Sequence, residues 1–111
     1  MKSILLVLLL SGCSFIMPIP HDPVMFGNLV DVQIEVDKLS CTDKDWNSTL
    51  TTVNRLKVYS KLRNDPQAET VSKLSEALEK AKESNNQTFC ESILKNNKPR
   101  IDVIIKAWSG R

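Results

Sequence analysis

Cysteine is the most reactive side chain in this sequence, and the chain holds three cysteines, Cys13, Cys41 and Cys90. A thiol can attack an electrophile, bind a metal ion, form a disulfide or receive a lipid. The three are not clustered at the short spacing that a zinc site uses, so we expect no metal site at the cysteines. The residues around Cys13 favour lipid attachment, whereas Cys41 and Cys90 are candidates for a disulfide.

Other residue types that catalyse reactions are few. The single histidine, His21, lies in a proline-rich stretch where no rigid element would hold a general base or metal ligand, so we expect it to be solvated. Only Gly27 and Gly110 follow Cys13, too few for a phosphate-binding glycine loop. The sequence therefore predicts no catalytic residue, no cofactor and no small-molecule substrate, and the protein is not expected to be an enzyme. Four acids lack the alternating pattern with glycine of a calcium loop, so no metal site is expected there either: Asp31, Asp37, Asp43 and Asp45.

The first twelve residues predict a signal peptide. Lys2 and the amino terminus provide a short positive region, and seven apolar residues follow from Ile4 to Leu10. Crossing a bilayer takes about 20 apolar residues, so this run is too short for a membrane anchor. A buried core helix is the alternative, but a cationic start followed by unbroken apolar residues favours a signal peptide over residues 1–12.

The end of this segment, Leu10-Ser11-Gly12-Cys13, resembles the lipobox of bacterial lipoproteins. The resemblance implies that Cys13 is diacylated and that the chain is cleaved between Gly12 and Cys13. Ser14 after the cysteine implies sorting to the outer membrane, where the protein would be lipid-anchored on the periplasmic face. Two glycosylation acceptor patterns, at Asn47 and Asn86, would matter in a eukaryotic secreted protein, but the lipobox outweighs them.

If Cys13 carries lipid, two cysteines remain, which is the even number that an exported protein favours. We therefore predict a disulfide between Cys41 and Cys90, and two buried free thiols are the alternative. The bond would close a loop of about 50 residues and contribute about 4 kcal/mol in the chain-entropy model. Such a bond suits a small domain with a limited core.

The length and composition predict one small domain after an extended segment. The chain has 111 residues, and its 41% hydrophobic and 25% charged residues exclude wholesale disorder. Residues 13–27 contain Pro18, Pro20 and Pro23, which block a helix and favour an extended tether. Several apolar residues in this tether could dock on the domain, rest at the lipid interface or bind a partner.

Residues 28–111 predict an all-α domain, a small bundle of four to five short helices with one disulfide. The first element, 28–39, also alternates like a strand, but Asn28 as a cap favours a helix. A capping sequence at 42–45 opens the second helix, and Asn64-Asp65-Pro66 ends it and starts the third, with proline at the first position.

The third helix has the most regular apolar spacing and should stop near residues 84–86. Thr88 and Glu91 fit a capping box for a fourth helix, which Pro99 either kinks or separates from a last helix. The expected inward faces are Trp46, Leu50, Val53 and Leu56, then Val71, Leu74, Leu78 and Ala81, and finally Ile101, Ile104, Ile105 and Trp108.

Charge is uneven along the chain, with basic runs at 55–63 and 95–111, but the formal net charge is only +2. We therefore expect no nucleic-acid partner. The basic faces are either solvated or meet anionic lipid headgroups or an acidic protein.

The layout of the chain resembles the helical pilotins of type II secretion. It combines a lipobox, a proline-containing tether, and helices of which the first closes with Cys41 and a late one opens with Cys90. Pilotins carry a secretin to the outer membrane by binding a short segment of it in a groove between helices. The resemblance implies a protein-binding accessory or assembly factor of an envelope complex, with the membrane and an envelope protein as partners. A phage- or plasmid-encoded exclusion lipoprotein that blocks a receptor or channel is the alternative, and the genomic neighbourhood would distinguish the two.

Overall fold

The structure is a computed structural model that describes residues 19–111. The predictions for the signal peptide, for Cys13 and for the tether before Ile19 lie outside the described residues. The described part contains four helices and no strand: α1 is Pro23–Val36, α2 is Asn47–Leu62, α3 is Ala68–Glu83 and α4 is Gln87–Ser109. The predicted fold class, a small all-α bundle with one disulfide, is confirmed.

The helices form an antiparallel square. Each helix packs against the next and α4 packs back against α1, so these four pairs are the backbone neighbours. Across one diagonal, the rings of Tyr59 in α2 and Trp108 in α4 pack edge to face with their centres 6.2 Å apart. Gln33 donates to Asp102 at 3.0 Å and Lys98 lies 3.1 Å from Asp37, so polar contacts also link α1 to α4. One end of the bundle, here called the tether end, contains residues 22–25, 59–69 and 106–111. The opposite end, the disulfide end, contains the loop 37–46, the turn 84–86 and Cys90.

The core lies between the four inward faces. Val71, Leu74, Leu78 and Ala81 of α3 are all fully buried, as their spacing predicts. The other large buried apolar side chains are Leu29, Val32, Trp46, Val53, Leu56, Ile101, Ile104 and Trp108. Each Val, Leu or Ile taken from water contributes about 1.5–3 kcal/mol, so this core is the main source of stability.

The first helix begins at Pro23, five residues before the predicted start at Asn28. Asp22 is the cap, because its Oδ1 accepts hydrogen bonds from the backbone N–H groups of Val24 and Met25, each at 3.1 Å. Proline has no N–H to lose at the first helical position, so Pro23 starts the helix and does not block it. Residues 23–27 therefore belong to the bundle, where Met25 is buried, and the strand alternative for 28–39 is wrong for residues 28–36.

The second helix begins at Asn47, and the predicted capping sequence at 42–45 does not cap it. Ser40 instead closes a turn there, since its Oγ accepts from the backbone N–H groups of Thr42 and Asp43. The residue before the helix is Trp46, whose buried indole donates to the carbonyl of Ser40 at 3.0 Å. Packing of a large aromatic ring fixes this helix start in place of a side-chain cap.

Two further helix starts differ from the prediction. Pro66 lies in a turn, and α3 begins two residues later at Ala68. Asn86 caps α4 in place of Thr88, because the Asn86 side-chain oxygen accepts from the N–H of Phe89 at 3.0 Å. Asparagine and threonine are both good caps, and the tight turn after α3 places Asn86 at the position with extended backbone.

Pro99 neither ends α4 nor starts a new helix. It lies inside α4, which is one continuous helix of 23 residues. Proline removes one backbone hydrogen bond inside a helix and crowds the carbonyl four residues earlier. Pro99 faces solvent, so water can satisfy that carbonyl. The bundle therefore has four helices, with the last one the longest.

Candidate functional site

The disulfide joins Cys41, in the loop after α1, to Cys90, in the first turn of α4. The sulfur atoms are 2.09 Å apart and the Cα atoms 6.0 Å apart. The pairing confirms the predicted bond, and Cys90 is fully buried. Both sulfurs are therefore occupied by a structural bond, and neither is available as a nucleophile or metal ligand.

Lys44 fastens the same loop to the end of α3. Its ammonium donates to the carbonyls of Ala81 at 3.1 Å and Lys82 at 3.0 Å, and also to the carbonyl of Ser84. The last carbonyls of a helix have no partner within the helix and carry its partial negative charge. A lysine charge that meets three of them stabilises both the loop and the helix end.

The tether end is organised around Asp65, a buried carboxylate in the turn between α2 and α3. It accepts hydrogen bonds from the N–H of Gln67 at 2.8 Å, from the indole of Trp108 at 3.3 Å and from both guanidinium nitrogens of Arg111. Burial alone would raise the pKa of Asp65. The hydrogen bonds from Arg111, Gln67 and Trp108 outweigh that effect and lower the pKa below its usual value.

A second polar group holds the chain that precedes α1. The Tyr59 hydroxyl donates to Oδ2 of Asp22 at 2.7 Å, and Arg63 donates both to the Tyr59 hydroxyl and, at 2.7 Å, to the carbonyl of Pro20. The bond from Tyr59 is the largest cause of the lowered pKa of Asp22, whereas burial raises the pKa of Tyr59. These contacts fix the backbone at Pro20 on the end of α2.

An open depression of about 530 Å³ lies beside these residues, lined by Ile19–Pro23, Tyr59 and Arg63. His21 on its rim is exposed, and its ring centre is 5.5 Å from that of Phe26. The nearby hydroxyl of Tyr59 and carboxylate of Asp22 are bonded to each other. The depression thus offers a surface for contact, and the side chains of Asp22, Tyr59 and Arg63 in its lining already hydrogen-bond within the fold.

Two smaller grooves run between helices. One, of about 160 Å³, lies between α1 and α4 around Gln33, Asp37 and Lys98. The other, of about 240 Å³, lies between α3 and α4 and is lined mainly by charged side chains, including Lys73, Lys80 and Arg100. Both grooves therefore have α4 as one wall.

Exposed apolar side chains and exposed lysines are both present at the tether end. Val24 is 72% exposed and Leu62 is 81% exposed. Lys61 and Lys106 are also exposed at this end, whereas the guanidinium of Arg111 is bound to Asp65.

Within residues 19–111, no group of three or more histidine, cysteine or acidic side chains is arranged to hold a metal ion. In the same residues, no helix combines the length and the apolar character needed to cross a membrane.

The sequence predicts the disulfide but not the hydrogen-bonded cluster around Asp65. The partners Trp108 and Arg111 are 43 and 46 residues away along the chain. Asp65 lies just before a proline in a turn, where aspartate is common for local reasons. The one local signal in the sequence is an aspartate in the turn between two helices, with Arg63 two residues before it.

Comparisons with protein-family models, curated proteins and solved structures found no match to this chain.

Proposed function

We propose that this chain is a lipoprotein anchored through Cys13 on the periplasmic face of the bacterial outer membrane, where it binds another envelope protein as an accessory or assembly factor. The observation that carries the proposal is the pairing of Cys41 with Cys90. That bond uses two of the three cysteines and leaves Cys13, in its lipobox-like sequence, as the one that remains for the lipid. A disulfide of this kind also fits an oxidising compartment such as the periplasm.

A binding role fits the side chains of the described residues better than catalysis does. Three charged side chains at the tether end, Asp22, Asp65 and Arg63, hydrogen-bond to other parts of the fold. A rigid helical bundle with a disulfide and a packed core instead offers fixed surfaces and grooves to a partner. The grooves on either side of α4, of about 160 and 240 Å³, have room for one or two side chains from a segment of another protein.

The length of the tether restricts where the partner is. Seven residue steps separate Cys13 from Pro20, which span about 25 Å at most. A bundle held so close to its lipid reaches only partners that are in the membrane or near its surface. An envelope complex in the outer membrane meets this condition.

The test is photo-crosslinking in living cells from the two grooves, followed by identification of the captured protein. Crosslinkers replace Glu76, beside the α3–α4 groove, and Asp102, beside the α1–α4 groove. The matched control replaces Asp43, an exposed acid in the loop at the disulfide end that lines neither groove.

One envelope protein captured from a groove, and absent from the Asp43 control and from a Cys13→Ala strain, is the expected result. A secretin or another assembly subunit would support the assembly role, and a phage receptor or channel would support the exclusion alternative. Capture of no protein from either groove would contradict the binding role.

A further inference from the structure

The tether end is the part of the bundle closest to the lipid if Cys13 is acylated, and the inference below rests on that part of the proposed function. The Arg63 guanidinium holds the Pro20 carbonyl at 2.7 Å on the end of α2, so the chain leaves the bundle from this end. The remaining chain spans about 25 Å at most. The disulfide end is a helix length further away, about 20 Å along α1 at 1.5 Å per residue.

Two side chains at this end are apolar and lack cover within the described residues. Leu62, the last residue of α2, is 81% exposed, and Val24, in the first turn of α1, is 72% exposed. Isolated exposed apolar residues are common on protein surfaces. Here they are the two most exposed of the large apolar side chains described, and both lie at the end from which the tether leaves.

The charges at this end complement an anionic surface. Lys61 and Lys106 are exposed, whereas the two acids nearest the tether, Asp22 and Asp65, are bound to Tyr59 and Arg111. Glu69, in the first turn of α3, is exposed, and its carboxylate lies 3.3 Å from the ammonium of Lys73. Lysines near an anionic bilayer are attracted to its headgroups, while a neighbouring leucine or valine gains by entering the interface.

We infer that the tether end of the bundle lies on the surface of the membrane that carries its anchor. Leu62 and Val24 enter the interface, and Lys61 and Lys106 face anionic phospholipid headgroups. This orientation turns the disulfide end away from the membrane and leaves the grooves beside α4 accessible from the side.

The test uses tryptophan as a depth probe in the purified, lipidated protein. The native Trp46 and Trp108 are buried, so they give the same background in every variant. Leu62→Trp places a probe at the tether end, and Phe89→Trp places the control at the disulfide end, where the native side chain is 51% exposed. Vesicles contain phosphatidylethanolamine with phosphatidylglycerol, with or without brominated acyl chains.

We expect Leu62→Trp to show a blue-shifted emission and a loss of emission with brominated lipid, and Phe89→Trp to show neither. Adding Lys61→Gln and Lys106→Gln to Leu62→Trp should reduce the loss of tryptophan emission with brominated lipid. Equal behaviour of the two probes in protein that floats with the vesicles would overturn the inference and leave the lipid anchor intact. Failure of the protein to carry palmitate or to float would instead overturn the proposed function, and this inference with it.

A photo-crosslinker at Leu62 in cells separates lipid from other occupants of this end. Capture of lipid is the expected result. Capture of a protein and no lipid, whether a partner or a second copy of this chain, would assign the tether end to a protein interface and overturn the inference.

Discussion

The substitution Asp65→Asn tests how the tether end is held together. The carboxylate of Asp65 is fully buried and accepts from the N–H of Gln67, the indole of Trp108 and the guanidinium of Arg111. Asparagine keeps one oxygen and the shape of the side chain. It replaces the second oxygen with a donor that faces Arg111 and the Arg63 nitrogen 3.8 Å away.

The expected cost follows from what remains after the change. Breaking a buried ion pair by removing one partner costs about 3–5 kcal/mol. The Arg111 side chain is 16% exposed and regains some hydration, so we expect the low end of that range, about 3 kcal/mol of unfolding free energy. Urea unfolding followed by circular dichroism at pH 7 measures this difference. Glu69→Gln is the control, since it removes an acid that is 81% exposed, and it should cost less than about 0.5 kcal/mol.

The contribution of Asp65 to the unfolding free energy should also depend on pH. The pKa of Asp65 is lowered in the folded protein relative to its usual value of about 3.9, so its stabilising effect is complete above that value. It is lost as the pH falls through the lower, folded pKa. The difference in unfolding free energy between wild type and Asp65→Asn should therefore become smaller below about pH 4. A loss under about 1 kcal/mol at pH 7, or a difference that does not change with pH, would refute the role given to this carboxylate.

Three further predictions concern other contacts. Cys41→Ser and Cys90→Ser should each lower the unfolding free energy, measured by urea unfolding, by about 4 kcal/mol. The double variant should lose no more than either single variant, and clearly additive losses would contradict a shared bond. Lys44→Met keeps the aliphatic stem and removes three hydrogen bonds to the end of α3. We expect the unfolding free energy to fall by about 1–2 kcal/mol and amide exchange in the last turn of that helix to become faster. Unchanged exchange would argue against the lysine as the cap of α3. Tyr59→Phe removes the hydrogen bond to Asp22 and should raise the pKa of that carboxyl towards its usual value, which a carbon-detected NMR titration measures; an unchanged pKa would assign the shift to other causes.

The sequence predicts the helices of this fold well where one periodic pattern decides the outcome. The spacing of Val71, Leu74 and Leu78 admits a helix with one inward face, and all three are buried. The disulfide follows from cysteine counting on the expectation that Cys13 carries a lipid. Both conclusions need only local spacing or a count of one residue type.

The errors fall where residue types have more than one use. The proline spacing predicts an extended tether that includes Pro23, yet with Asp22 before it the same residue starts α1. The alternative in which Pro99 begins a separate last helix is wrong, because Pro99 lies on an exposed face and the helix continues through it. The polar cluster at Asp65 could not be predicted, because it depends on how helices distant along the chain meet in space.

Metabolic labelling with an alkyne analogue of palmitate, in wild type and in Cys13→Ala, tests the proposed lipid anchor most directly. We expect a labelled mature protein in the outer-membrane fraction of the wild type, with Cys13 as its first residue. The Cys13→Ala variant should be unlabelled and either soluble or uncleaved. A wild type without label, or label that persists in Cys13→Ala, would contradict the lipid anchor on which the proposed function depends.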